Sequence, residues 1–252
     1  MDSIILYDNI LEDATLTVTS TSASTGYDKD NLIDGRPYTK WAASSSATQN
    51  LDAAFGSSKT ADAIGIFNHN LGTIGATVKV QITTGVWTTL LTITPSDDTA
   101  ILLPFTSNSD ADWRIEISGA SDPAEIGILM LGEKLSFGYG PETPFAPKSE
   151  GIKANSLMSK GGYLLGTDVR YNDLSITARY GYVSRTWVST YFLPFWRDHA
   201  RLLKYFFYAY DPDNDADTVY LVKAAESMRY EAPLSIGSYV DGLTLNLVGI
   251  AE

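Results

Sequence analysis

Short alternating runs of apolar and polar residues mark the first half of the chain. Leu16-Thr17-Val18-Thr19, Thr77-Val78-Lys79-Val80-Gln81-Ile82 and Trp113-Arg114-Ile115-Glu116-Ile117 each send every second side chain to one face. A period of two predicts strands with one side on a core and the other in water. Turn residues separate these runs: Thr84-Gly85, Pro95 to Asp98, Ser107 to Asp110, and Ser121-Asp122-Pro123. Many short strands with regular turns predict an antiparallel sandwich or jelly roll.

The second half changes period. Leu174 to Tyr180 alternates as a strand, and the spacing then predicts a helix near 186–203. There Trp187, Tyr191 and Phe195 lie four apart, as do Val188, Phe192 and Trp196, which lines aromatics along one helical face. Pro194 must either kink that helix or begin a second short one. Tyr205 to Tyr210 and Val219 to Val222 read as a hairpin around Asp211 to Thr218, and a last strand runs from Leu243 to Ile250. The order predicts a sheet with one packed helix. Between the halves, Gly138 to Gly151 carries three prolines, which favours extended chain without ladder pairing. The expected organisation is one β domain over 1–134, a linker over 135–151, and a second β domain over 152–252.

Composition narrows the chemistry. The 252 residues are 44% hydrophobic, enough to bury a core. No apolar run approaches the ~20 residues of a membrane helix. Met1 to Tyr7 lacks the basic start and cleavage site of a secretion signal, so synthesis in a cytoplasm is expected. Cysteine is absent, which removes disulfides, thiolate metal sites and thiol nucleophiles. The net charge of −12 argues against a nucleic-acid partner. That charge is concentrated in residues 1–134, with 17 acidic and 7 basic side chains, whereas 12 of the 15 tyrosines follow residue 134.

Asn31-Leu32-Ile33-Asp34-Gly35-Arg36-Pro37-Tyr38-Thr39-Lys40-Trp41 resembles the N-terminal signature of galactose-binding-like (discoidin, F5/8 type C) jelly rolls, with an Asp-Gly turn shortly before Thr-x-Trp. Leu51 to Gly56, Ile64 to Asn70, and Glu125 to Gly132 are similar to later strands of that family. The resemblance implies a structural Ca²⁺ held by Asp34, Thr39 and Glu125 with backbone carbonyls, an oxygen-only set suited to a hard cation. Trp41 is expected in the core. Sugar-binding candidates on the loops are Tyr38, His69, Asn70 and Trp87, although no arginine-plus-aromatic constellation is evident in the sequence.

The stretch from Tyr191 to Val222, with Glu231 to Glu252, resembles a module of phage minor tail and baseplate proteins. That resemblance implies a tail-tube-like β-sandwich with one flanking helix, although here the jelly roll precedes it, unlike the usual distal tail protein. It also implies a ring-forming homo-oligomer in the virion tail tip, with other tail proteins as partners and host surface glycans as possible targets. Interface candidates are Tyr182, Arg185, Trp187, Tyr191, Trp196, Arg197 and Arg201, residue types enriched at such surfaces.

Asp211 to Asp217 lacks the glycine and glutamate of an EF-hand loop and reads as an acidic turn. No nucleophile elbow, Walker loop, dinucleotide fingerprint or zinc-protease motif occurs. The expected function is therefore a non-enzymatic structural component of a phage tail tip. A carbohydrate-binding adhesion module is the alternative, and an envelope polysaccharide hydrolase built on an acidic pair is the second alternative.

Overall fold

A computed structural model describes residues 2–18, 26–83, 85–146, 149–212, 218–230, 235–236, 238–240 and 242–250. The chain is mainly β and its strand pairs are antiparallel. It divides into two compact units: Met1–Ser136 with Phe207–Val219, and Phe137–Phe206 with Tyr220–Glu252.

The first unit holds β1 (Ile4–Leu6), β2 (Thr15–Val18), β3 (Trp41–Ala42), β4 (Gln49–His69), β5 (Thr77–Thr83), β6 (Trp87–Ile93), β7 (Ile101–Ser118), β8 (Glu125–Gly132) and β9 (Leu135–Ser136). The large sheet runs β3-β8-β4-β7-β5-β6, with β2 added to β4. Strands distant in that path share one core: Val78, Val80 and Ile82 of β5 pack in the same cluster as Ile126, Leu129 and Leu131 of β8. The sheet is therefore folded over on itself as a β-sandwich. Trp41 and Trp113 are fully buried in this core, as expected for Trp41.

Two long strands make the fold. β4 has 21 residues and β7 has 18, and their register shifts between Ala54 and Lys59 and again between Ala61 and Ala63. Such irregularities let one strand bend from one layer into the other. The expected turn at Ser107 to Asp110 is instead part of β7, because Asn108, Ser109 and Asp110 pair with Ala61, Thr60 and Lys59. The Trp113 indole N–H donates to the carbonyls of Asp110 and Lys59, which ties this polar stretch down.

The two layers differ on their outer sides. β8 is buried along nearly its whole length, so it has no polar alternation. Its layer is covered by β1, which pairs with β9 and with β13 (Phe206–Ala209). The cover is close: a Cβ on Gly65 would lie 2.5 Å from the Phe207 ring. The other layer, formed by β2, the first part of β4, the last part of β7, β5 and β6, turns polar residues outward.

The second unit pairs β10 (Ser149–Met158) with β11 (Leu164–Tyr180), β11 with β17 (Leu243–Ile250), and β17 with β14 (Val219–Ala224). A small sheet joins β12 (Val183–Ser184), β16 (Tyr239–Val240) and β15 (Ser235–Ile236). The aromatic helical segment is α1 (Arg185–Trp187), a π turn (Val188–Phe192), α2 (Leu193–Asp198) and a 3₁₀ turn (Ala200–Leu202). Pro194 explains the π turn. Proline has no N–H to donate, and the Leu193 N–H reaches back five residues to the Val188 carbonyl. The wider turn keeps Val188, Phe192 and Phe195 on the buried side. The acidic loop at 213–217, and Pro147 and Lys148 of the expected linker, lie outside the described residues.

Candidate functional site

The polar layer is built by alternation. Val78, Val80 and Ile82 of β5 point into the core, so Lys79 and Gln81 point out. On β7, Trp113, Ile115 and Ile117 are buried, which sends Arg114 and Glu116 to the same outer face. Strand register then sets these residues side by side. Thr17 pairs with Asp52, Asp52 with Arg114, Arg114 with Gln81, and Gln81 with Thr89, giving one row across five strands. A second row sets Asn50 beside Glu116 and Glu116 beside Lys79.

Charges in both rows are paired internally. Arg114 forks onto Asp52, with Nε 2.6 Å and Nη2 2.8 Å from the two carboxylate oxygens. That hydrogen bonding holds the guanidinium even more firmly protonated than usual. Lys79 Nζ lies 2.7 Å from Glu116 Oε1. Partly exposed Trp87 opens β6, and the Arg114 guanidinium carbon sits 4.1 Å from its ring centroid, a cation–π stack. Gln81 is 7% exposed and its Nε2 donates to Thr89 Oγ1 at 3.1 Å, while its Oε1 has no partner. Turning the amide over only exchanges which end is unpaired.

The four expected ligand residues do not form one site. His69 is buried and its two ring nitrogens are engaged: Nε2 lies 2.8 Å from the Thr99 carbonyl, and Nδ1 accepts from the Leu71 N–H. Burial pushes its pKa below the usual imidazole value. Asn70 is equally engaged, donating to the Pro123 carbonyl and accepting from the Glu125 N–H. Both are loop staples, since the chain needs polar anchors where β4 leaves the sheet. Tyr38 is 78% exposed on a loop held by Asn68, which donates to the Pro37 carbonyl. Trp87 pairs with Thr83 at the far end of β5 from the loop that follows Asn70. Seven residues of strand separate those ends, about 20 Å at ~3.3 Å per residue.

The expected cation ligands each have a partner within the protein. Asp34 and Thr39 are brought together, but the Thr39 hydroxyl donates to the Asp34 carboxylate at 2.9 Å. The Arg36 N–H also donates to Asp34, closing the Asp34-Gly35 turn, in which Gly35 has φ +67°. Glu125 faces the Lys40 ammonium at 3.3 Å instead of Asp34. Asp34 and Thr39 are thus bonded to each other, and Glu125 is paired with Lys40. Among the described residues, no group of three or more His, Cys, Asp or Glu side chains gathers.

In the second unit, Tyr182, Arg185, Tyr191, Arg197 and Arg201 are exposed. Trp187 and Trp196 are half-buried, and the Trp187 ring lies 4.9 Å from Phe137. His199 is buried against Phe195 and Phe206, with Nε2 2.9 Å from the Tyr205 carbonyl.

The residues missed from sequence are Asp52, Gln81 and Arg114. Alternation marks Gln81 and Arg114 as outward-facing, but their meeting with Trp87 depends on the register of separate strands. No helix among the described residues is long and apolar enough to cross a membrane.

No protein-family model matches the chain, and no curated protein matches it. Solved structures do. Chitosan-binding module 1 of a Paenibacillus sp. IK-5 chitosanase/glucanase is 20% identical, with a TM-score of 0.43, over 50% of this chain and 98% of that one. A Clostridium perfringens module in complex with GalNAc-β-1,3-galactose is 14% identical, with a TM-score of 0.42, over 48% of this chain and 96% of that one. A Ruminococcus gnavus fucosidase in complex with fucose is 18% identical, with a TM-score of 0.41; the match covers 50% of this chain but only 26% of the fucosidase.

Proposed function

We propose that the first unit is a non-catalytic carbohydrate-binding module that holds a neutral glycan on its outer polar layer, over Trp87. The arrangement of Trp87, Arg114, Asp52 and Gln81 carries this reading. An aromatic surface takes the apolar face of a sugar ring, and fixed donors and acceptors beside it read the hydroxyls. Because Arg114 neutralises Asp52 and Lys79 neutralises Glu116, the face offers hydrogen bonds without net attraction for an ion. That favours a polyhydroxyl ligand over a phosphate or a metal.

A glycan array compares the wild type with Trp87→Ala and Tyr38→Ala. The expected result is binding by wild type and Tyr38→Ala and its loss in Trp87→Ala. Loss confined to Tyr38→Ala moves the site to the loop end, and no binding to any glycan removes the reading.

A second reading is a structural role in a phage tail tip, the setting that the C-terminal half resembles. Its support is an exposed β arm in the second unit, which suits assembly. Presence in purified particles tests it, and absence removes it.

A further inference from the structure

The outer polar layer of the first unit extends well beyond Trp87. Its strands lie in the order β2-β4-β7-β5-β6, so β2 and β6 are its margins among the described residues. Trp87 belongs to β6, yet its ring meets the Arg114 guanidinium of β7, the middle strand. The two side chains lean toward each other to bridge the ~10 Å between strands set two apart. The indole therefore lies over the interior of the layer.

Both margins carry short hydroxyl side chains. Thr15 and Thr17 on β2, and Thr89 and Thr92 on β6, are exposed. A threonine rises far less from a sheet than an indole, so the aromatic platform has low polar ground on either side. Along the strands the surroundings differ. The next row there is the Lys79–Glu116 pair, whose long side chains rise beside the platform. The open direction is thus across the strands, along the row Thr17, Asp52, Arg114, Gln81 and Thr89. That row covers four strand spacings, about 19 Å. At about 5 Å per linked sugar ring, the zigzag reach of four bonds of ~1.5 Å, it is as long as about four rings.

A terminal sugar is recognised differently. It sits in a concave site whose polar groups converge on it and whose wall stops the chain. Here the platform is central, and exposed threonines stand where such a wall would be. We infer that the ligand over Trp87 is an internal stretch of a linear, neutral polysaccharide that lies across the strands, with its ends beyond both margins. This deepens the carbohydrate-binding reading above and rests on it. The central rings stack on the indole, and the flanking rings add hydrogen bonds to the threonine hydroxyls.

Gels containing mixed-linkage glucan, hydroxyethyl cellulose, galactomannan, laminarin or arabinoxylan show which polymer retards the full chain. Titration calorimetry then follows the series from the monosaccharide to the hexasaccharide of that polymer. Affinity is expected to rise at least about tenfold from the disaccharide to the tetrasaccharide and to level off by the hexasaccharide. Reducing the terminal sugar of the hexasaccharide to its alditol is expected to change affinity by less than about twofold. Thr17→Ala and Thr92→Ala, at opposite margins, are each expected to weaken the tetrasaccharide about two- to fivefold, near the worth of one hydrogen bond, and to leave the disaccharide unchanged. Three results overturn the inference while loss of binding in Trp87→Ala upholds the glycan reading: a monosaccharide bound as tightly as the tetrasaccharide, binding lost when the terminus is reduced, or margin variants that bind the tetrasaccharide like wild type. Array binding to terminal epitopes without retardation by any polymer also overturns the inference alone. No binding to any glycan, or binding untouched by Trp87→Ala, removes the reading and the inference together.

Discussion

Gly65 is a position where the sandwich is closed tightly on its buried side by an aromatic ring. Gly65→Ala places a Cβ 2.5 Å from Phe207 Cδ2 and 2.6 Å from Cε2, inside contact distance. Phe207 is 0% exposed, so its ring has no free space to move into. Overpacking of this kind costs about 1–3 kcal/mol, and exchanging glycine for alanine in a strand returns roughly 0.5–1 kcal/mol of backbone entropy. The expected net loss is about 1–2 kcal/mol, or about 3–6 °C in a chain of this size. Phe207→Leu removes the ring edge and by itself leaves a cavity, with a loss of roughly 1–2 kcal/mol. The double variant is expected to lose less than the sum of the two, with about 1 kcal/mol of coupling, because the new methyl group occupies the space vacated by the ring. Thermal and urea unfolding followed by tryptophan fluorescence measure all four proteins. A neutral Gly65→Ala, or strictly additive losses, refutes the packing of Phe207 on this layer.

Arg114→Lys keeps the charge but loses the fork on Asp52 and the planar stack on Trp87, so titration calorimetry is expected to show at least about tenfold weaker glycan binding with a stability change under ~1 kcal/mol. His69 has a folded-state pKa below that of the unfolded chain, so the unfolded state takes up more protons as pH falls below about 6.5. Stability is therefore complete above that pH and declines toward the depressed folded value, by at most ~1.4 kcal/mol per pH unit, and His69→Gln flattens this part of a urea-melt series between pH 7 and 5. Because Thr39 donates to Asp34 and Lys40 occupies Glu125, adding Ca²⁺ or a chelator is expected to move the melting temperature by less than ~1 °C.

Alternation made much of the fold legible. Thr77 to Ile82, Trp113 to Ile117 and Leu174 to Tyr180 are strands because one face meets a core and the other meets water. β8 lacks that signal because both of its faces are covered. The Ser107 to Asp110 stretch read as a turn because local chemistry favours one, whereas pairing with Lys59 to Ala61 is a long-range fact. The candidate site was legible only as fragments. Trp87 was visible as an aromatic beside a turn, but its guanidinium partner lies 27 positions away and reaches it through the pairing of β5 with β6 and β7. His69 and Asn70 looked available because sequence does not show which carbonyls and N–H groups consume a polar side chain. β10 was hidden by the proline-rich stretch before it, which suggested a linker reaching residue 151.

A glycan that lies over Trp87 on the outer polar layer changes the surroundings of that indole and of its neighbours in the row. Two-dimensional ¹H–¹⁵N spectra of the full chain, titrated with the best glycan from the array, test it most directly. The expected result is saturable shifts of the Trp87 indole and Gln81 side-chain amide signals, with the Asn70 side-chain amide unmoved. Shifts centred instead on the backbone around Tyr38, or none at a glycan concentration that saturates the array response, would contradict it.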